Sequence, residues 1–226
     1  NIQLDSGSDV TATGTLNAID NISITATGAA AATNAISGSN TDITGASVTL
    51  DNGNIAGNLT LNALAGNIDS NGTVVVGNAI DLDATGDAGF SDLTAQAGTI
   101  AITAGASING GNLTAANNIS LDAGNIAIGD ASGAAIAMTS GSDILFDSLT
   151  STGSTTLTAT SGTIGANAGA GDITASGVGQ SINLFANNVA VGALATNDGD
   201  ILVSAAQDIA LGSAATSAGT PTAGSI

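Results

Sequence analysis

Cysteine, histidine, lysine, arginine, tryptophan and tyrosine are all missing from this 226-residue chain, which has one proline and three phenylalanines. With no lysine or arginine there is no side-chain cation to displace counterions from phosphates, so nucleic-acid binding is not expected. Anionic membrane surfaces are excluded on the same ground. Without cysteine there are no disulfides and no thiolate metal sites. No apolar run approaches the length of a membrane-spanning helix; the alanine stretch around Ala29 to Ala32 is far too short. With aromatics at 1%, the chain lacks the large side chains that fill an ordinary globular core. A surface free of Cys, Lys and Arg suits an oxidising, protease-rich exterior.

What the chain does have is alanine, glycine, and a thin, regular supply of Ile, Leu and Val. All 18 acidic residues are Asp, and the formal net charge is −18. Apolar couplets two residues apart recur as Leu59/Leu61, Ile80/Leu82, Ile100/Ile102 and Ile119/Leu121, at steps of 21, 20 and 19. Spacing of two puts both side chains on one face of a short strand. A second series, Val74/Val76, Leu93/Ala95 and Leu113/Ala115, keeps steps of 19 and 20. Near the end Ile182/Leu184 returns as Ile201/Val203, and Val189/Val191 as Ile209/Leu211, after 19 and 20 residues.

Two ladders with one step mean that each turn of backbone lies on the last, like strand over like strand. The expected fold is all-β: a parallel β-helix, or β-solenoid, of about 20 residues per rung and roughly 11 rungs. At about 4.8 Å per rung it would be on the order of 50 Å long. Gly57, Gly77 and Gly98 are expected to supply unusual backbone angles at corners. Asn58, Asn78 and Asn118 are expected to hydrogen-bond from rung to rung. Residues 20–56 and 136–177 keep the period less well and are expected to carry longer corners or a displaced rung.

Residues 1–226 are read as a single solenoid segment of a longer protein, with 212–226, which contain Pro221, as a loop or linker. The chain opens mid-pattern at Asn1-Ile2-Gln3-Leu4. Its last residues, Ala223-Gly224-Ser225-Ile226, followed by its first would resemble the internal AGTIAI and QSINL. One expectation is therefore that it is one period of a tandem array; the other is a cut at an arbitrary point of a long solenoid.

Of the usual acid-base groups only Asp is present, and neither a Ser/His/Asp nor a Cys/His nucleophile can be assembled. Asp81 and Asp83 share a strand face, but a solvated outer face is the expected reading, and the chain is not expected to be an enzyme. Only oxygen ligands remain for a metal, hence calcium if any. The candidates are Asp198 and Asp200 in Asn197-Asp198-Gly199-Asp200, which lack the further spaced acids of a calcium loop; no other cofactor is expected. The run Gly165 to Gly171 lacks the lysine of a phosphate-binding loop. Asn21, Asn58, Asn112 and Asn118 match the glycosylation acceptor, but that phrase is the repeat unit itself. Thr11/Thr13 and Thr25/Thr27 do not recur at rung spacing, as an ice-binding face would require. At the outward position after each couplet stand Asn62, Asp83, Thr103 and Asp122, so carboxylates are expected to be separated by neutral rungs.

The couplets GNLTL, GNAIDL, GTIAI and NNISL resemble the haemagglutinin-type repeats of filamentous-haemagglutinin-like exoproteins, large bacterial adhesins secreted by a two-partner route. The resemblance is clearest over 57–135 and 178–212. It implies a right-handed β-helical shaft, exported and displayed on the cell surface or released. The expected function is thus the structural shaft of a secreted adhesin or fibre. The alternative is a self-assembling extracellular filament or surface-layer subunit, and less favoured is a polysaccharide-binding or degrading β-helix, since no Trp or Tyr is present to stack on sugars. Expected partners are flanking modules of the same polypeptide or further copies of it.

Overall fold

A computed structural model describes residues 1–217, and within them all regular structure is β-strand. The chain falls into two compact units, Asn1–Ala116 and a second beginning at Asn117. The first holds β1 (Ile2–Ser6), β2 (Val10–Ala18), β3 (Ile22–Ala26), β4 (Ala30–Ser37), β5 (Thr41–Gly45), β6 (Val48–Ile55), β7 (Leu59–Ala63), β8 (Ile68–Val76), β9 (Ile80–Ala84), β10 (Ala88–Ala95) and β11 (Ile100–Ala115). The second holds β12 (Ile119–Ala127), β13 (Asp130–Gly133), β14 (Ile136–Ser140), β15 (Ile144–Phe146), β16 (Ser148–Ser151), β17 (Thr155–Ala159), β18 (Thr163–Ala166), β19 (Asp172–Val178), β20 (Ile182–Ala186), β21 (Asn188–Asn197), β22 (Ile201–Ala205) and β23 (Ile209–Ser217).

Each unit is a parallel β-solenoid. In the first, the short strands stack in the order β1, β3, β5, β7, β9 and the start of β11, giving six coils. The longer strands stack as β2, β4, β6, β8, β10 and the end of β11. The expected couplets coincide residue by residue: Leu59 lies across from Ile80, which lies across from Ile100, and Val74 from Leu93, which lies across from Leu113. The second unit makes five coils through β12, β14, β17, β20 and β22. There too Ile182 meets Ile201 and Val189 meets Ile209.

The core is a file of inward residues. The couplet is in fact a triplet, Ile80-Leu82-Ala84, and the third member recurs as Ala26, Ala63 and Ala104 in the first unit and as Ala123 and Ala159 in the second, all buried. Burying each Ile or Leu contributes about 1.5–3 kcal/mol, while Ala suits the narrow place where the chain turns out of the short strand. Phe146 is fully buried in the second unit, and Phe90 lies beneath Gly110, where an added Cβ would overlap its ring.

Several expectations need correction. Residues 20–56 contain no long corner: Ile22, Thr41 and Leu59 stack at steps of 19 and 18. Their period was hidden because small or polar groups fill the core positions, Ala30, Ala32, Ser37, Thr41 and Gly53. Ser37 and Thr41 satisfy one another across 2.9 Å, so the buried hydroxyls need no water. Residues 136–177 do lengthen, since Thr155 to Ile182 is a step of 27. Within the expected tail of 212–226, residues 212–217 belong to β23, and 218–226 with Pro221 lie outside the described residues. Gly57, Gly77 and Gly98 do not adopt a left-handed conformation; among the described glycines only Gly171 and Gly179 do, at φ 70° and 72°. They are needed for space instead: a Cβ on Gly77 would overlap the Ala56 carbonyl oxygen of the preceding coil.

Candidate functional site

The polar groups that recur by design lie at the corners. Just before each of the first four short strands, β1, β3, β5 and β7, an Asn side chain caps the coil above: the N–H of Asn21 donates to Asn1 Oδ1 (3.0 Å), that of Asn40 to Asn21 Oδ1 (3.0 Å), that of Asn58 to Asn40 Oδ1 (2.9 Å) and that of Ala79 to Asn58 Oδ1 (3.2 Å). Of the three Asn expected to bond from rung to rung, Asn58 does so, its side-chain oxygen accepting from a backbone amide rather than from another side chain. Asn78 stands one residue off the file, which passes through Ala79.

Asp does the same work at the other corners. Backbone N–H groups of Ala29, Ser107, Asn112, Thr163 and Ala193 donate to Oδ1 of Asp9, Asp87, Asp92, Asp143 and Asp172 respectively. Asp147 Oδ1 accepts from both Ala168 (2.7 Å) and Gly169 (2.6 Å). These are charge-assisted bonds to groups that a coil must satisfy anyway. The short Asp side chain reaches the next coil directly, whereas Glu would carry its oxygens one methylene too far. Lys and Arg have no acceptor to offer at such a corner.

A glycine accompanies the acceptor. The residue before the donor is Gly28, Gly57, Gly86, Gly162 or Gly192, and an added Cβ there would fall on Oδ1 of Asp9, Asn40, Asn67, Asp143 or Asp172. Sequence reasoning saw Gly and Asn at the corners but missed this coupling. Its signal is an Asp or Asn immediately before an inward apolar residue, as in Asn21-Ile22, Asn67-Ile68, Asp143-Ile144 and Asn188-Val189.

The residues weighed for chemistry do not converge. Asp81 and Asp83 are exposed on the outer face of β9, between Thr60 and Ala101 and between Asn62 and Thr103. Asp198 sits in the turn between β21 and β22 with φ 59°, its N–H donating to the Ser217 carbonyl at 2.9 Å, and the Asp200 carbonyl accepts from Ile182 N–H. Among the described residues no group of three or more His, Cys, Asp or Glu is brought together, so these two calcium candidates gain no third acidic ligand. The glycine-rich run ends β18 and then forms the loop held by Asp147. Asn21 and Asn58, two glycosylation-type matches, are engaged as corner acceptors. Thr11 lies across from Ala31, so that threonine face is not continued. No described helix is long and apolar enough to cross a membrane.

Charge is dispersed in the way the register allows. Within each unit, among the described residues, no Asp lies directly across from another Asp in paired strands: Asp83 is between Asn62 and Thr103, and Ser148 separates Asp130 from Asp172. The nearest stacked carboxylates are two coils apart, about 10 Å, beyond the roughly 8 Å screening length. Comparison with known proteins found no matching family model, no matching curated protein and no matching solved structure.

Proposed function

We propose that this chain is a structural shaft, a secreted or surface-displayed β-solenoid element of an adhesin or fibre whose role is mechanical rather than catalytic. The observation that carries the reading is the use of its polar groups. Asp and Asn side chains that would otherwise be free to act on a ligand are spent on the backbone of the next coil, and the rest are set apart on solvent-facing positions. Such a surface favours rigidity and solubility over recognition. The likeness of the couplets to haemagglutinin-type repeats supports the same reading and adds export to it.

Immunogold electron microscopy of producing cells, with antibody against the folded chain, tests this. Label on extended material outside the cell is the expected result. Label confined to the cell interior would remove the proposal.

A further inference from the structure

Three asparagines stand directly before a glycine: Asn52-Gly53, Asn71-Gly72 and Asn109-Gly110. All three dipeptides fall in the longer strands, β6, β8 and β11. The fold separates them. Gly53 is buried and lies across from Ala35 of β4 and Val74 of β8, and Asn52 lies across from Asn34. Asn109 and Gly110 lie across from Gly89 and Phe90 of β10. Asn71 and Gly72, by contrast, have no partner across the ladder on either side. Between the pairs Thr49/Asp69 and Gly53/Val74, β8 carries one residue more than β6, and between Phe90/Ser70 and Asp92/Thr73 it carries one more than β10. The bulge in β8 is therefore centred on the peptide that joins Asn71 to Gly72.

An asparagine before a glycine loses ammonia when the following backbone nitrogen closes on its side-chain carbonyl carbon. A regular parallel ladder opposes this closure, because it holds the backbone extended and engages the N–H. At a bulge that restraint is lifted. Three further features single out this peptide. Ser91 Oγ donates to the Asn71 carbonyl at 2.9 Å, which draws electron density from the peptide and makes the Gly72 N–H more acidic. Asn71 Nδ2 donates to Asp51 Oδ1 at 3.0 Å, so the exposed side-chain amide is held with its leaving nitrogen beside a carboxylate. An added Cβ on Gly72 would fall on Asn52 Oδ1, so packing does not admit a bulkier residue that would shield the site.

We propose that Asn71 is a site of spontaneous deamidation in the folded chain. The Gly72 nitrogen gives up its proton and bonds to Asn71 Cγ, the bond from Cγ to Nδ2 breaks, and ammonia leaves with that proton. Water then opens the resulting imide ring at either carbonyl, leaving aspartate or isoaspartate at position 71. Nothing is oxidised or reduced, and water is the only co-reactant. Either product loses the donor to Asp51 and sets a second carboxylate against it, one coil away at about 5 Å. No such stack occurs between paired strands among the described residues of either unit. Isoaspartate also adds an atom to the backbone, at a place where β8 already carries an extra residue, so the strands beyond keep their register. The modification marks one coil and loosens its outer contact with the coil before, whether or not the chain serves as a shaft.

Incubation of the purified 226-residue chain at mildly alkaline pH, with pepsin digestion and mass spectrometry at intervals, tests the proposal. The peptide holding Asn71 is expected to exchange its amide NH2 for OH about tenfold faster than those holding Asn52 or Asn109, the ratio given by a barrier about 1.4 kcal/mol lower. Ser91→Ala slows the exchange at Asn71 and leaves the other two as they were. In concentrated denaturant the three rates converge, since only the fold distinguishes them. Asn71→Asp lowers the denaturation midpoint, and adding Asp51→Asn restores part of it. No exchange at Asn71, equal rates in the folded chain, or a lead for Asn71 that persists in denaturant would each overturn the proposal, as would a rate unmoved by Ser91→Ala. An unchanged midpoint in Asn71→Asp would overturn the loosening. If circular dichroism shows Ser91→Ala unfolded, the comparison of folded and denatured unmodified chain decides alone.

Discussion

The two units solve one problem with different regularity. In the first, successive short strands begin at Ile2, Ile22, Thr41, Leu59, Ile80 and Ile100, steps of 18 to 21 residues. In the second they begin at Ile119, Ile136, Thr155, Ile182 and Ile201, steps of 17 to 27, and the longer strand is broken into shorter pieces in most coils. Yet the inward residues stay in register in both. Coil length is therefore not what holds the stack. The inward triplets and the corner acceptors do, and extra residues are accommodated between them.

The longest coil shows how. Its additional residues leave the ladder after β18 and around Gly179, where the two left-handed glycines are found. Asp147 receives two backbone N–H groups of the first excursion, and Asn167 Nδ2 donates to the Ile128 carbonyl two coils back. Ser154 Oγ donates to Gln180 Oε1 and accepts from Ser181 N–H, tying down the second.

If the inward file is equally important in both units, Leu82→Ala and Leu184→Ala, at fully buried positions, each cost about 2–5 kcal/mol in chemical denaturation. A cost below about 1 kcal/mol in either unit would show that its register is held by something else. Asp147→Ala probes the irregular unit alone and is expected to cost about 1.5–3 kcal/mol, with most of it recovered by Asp147→Asn. Hydrogen exchange should report the loss at the Ala168 and Gly169 amides, and unchanged protection there would contradict the assignment.

The coupling of glycine to the acceptor below it separates the units more finely. Gly86→Ala costs about 1–3 kcal/mol by crowding Asn67 Oδ1, and combining it with Asn67→Ala relieves part of that cost, because the remaining neighbours lie at 3.1 Å. Gly162→Ala is not relieved by Asp143→Ala, since backbone atoms of Ser142 lie only 2.5 Å from the new Cβ. Equal coupling energies in the two double-mutant cycles would disprove this distinction. The smallest effect is a gain: Ser70 Oγ is buried with no hydrogen-bond partner, so Ser70→Ala stabilises the first unit by about 1 kcal/mol, read as a raised denaturation midpoint.

These contrasts also explain what was legible beforehand. Ile and Leu couplets announced the stack wherever a branched residue filled the inward position. Thr41, Ser37 and Gly53 concealed it, because polarity and size say nothing about burial when hydroxyls pair with each other, as Ser37 does with Thr41 and Ser151 with Thr155. The outer charge spacing was readable because it follows directly from register. The role of Asp9 or Asp143 was not, since it depends on which backbone amide lies one coil above, a contact set by stacking rather than by neighbours in the chain. Asp198 and Asp200 looked like a site because of their local spacing alone, and folding brings them no further acid.

The central claim is that residues one coil apart lie face to face. A chain without cysteine allows it to be tested directly, by introducing cysteine pairs and following oxidative cross-linking. Thr60→Cys with Asp81→Cys, and Asn183→Cys with Leu202→Cys, should form disulfides readily, as those pairs lie directly across from one another. Thr60→Cys with Ala101→Cys, two coils apart, should not. Cross-linking of the distant pair, or failure of the two adjacent ones in a folded chain, would contradict the stacked register.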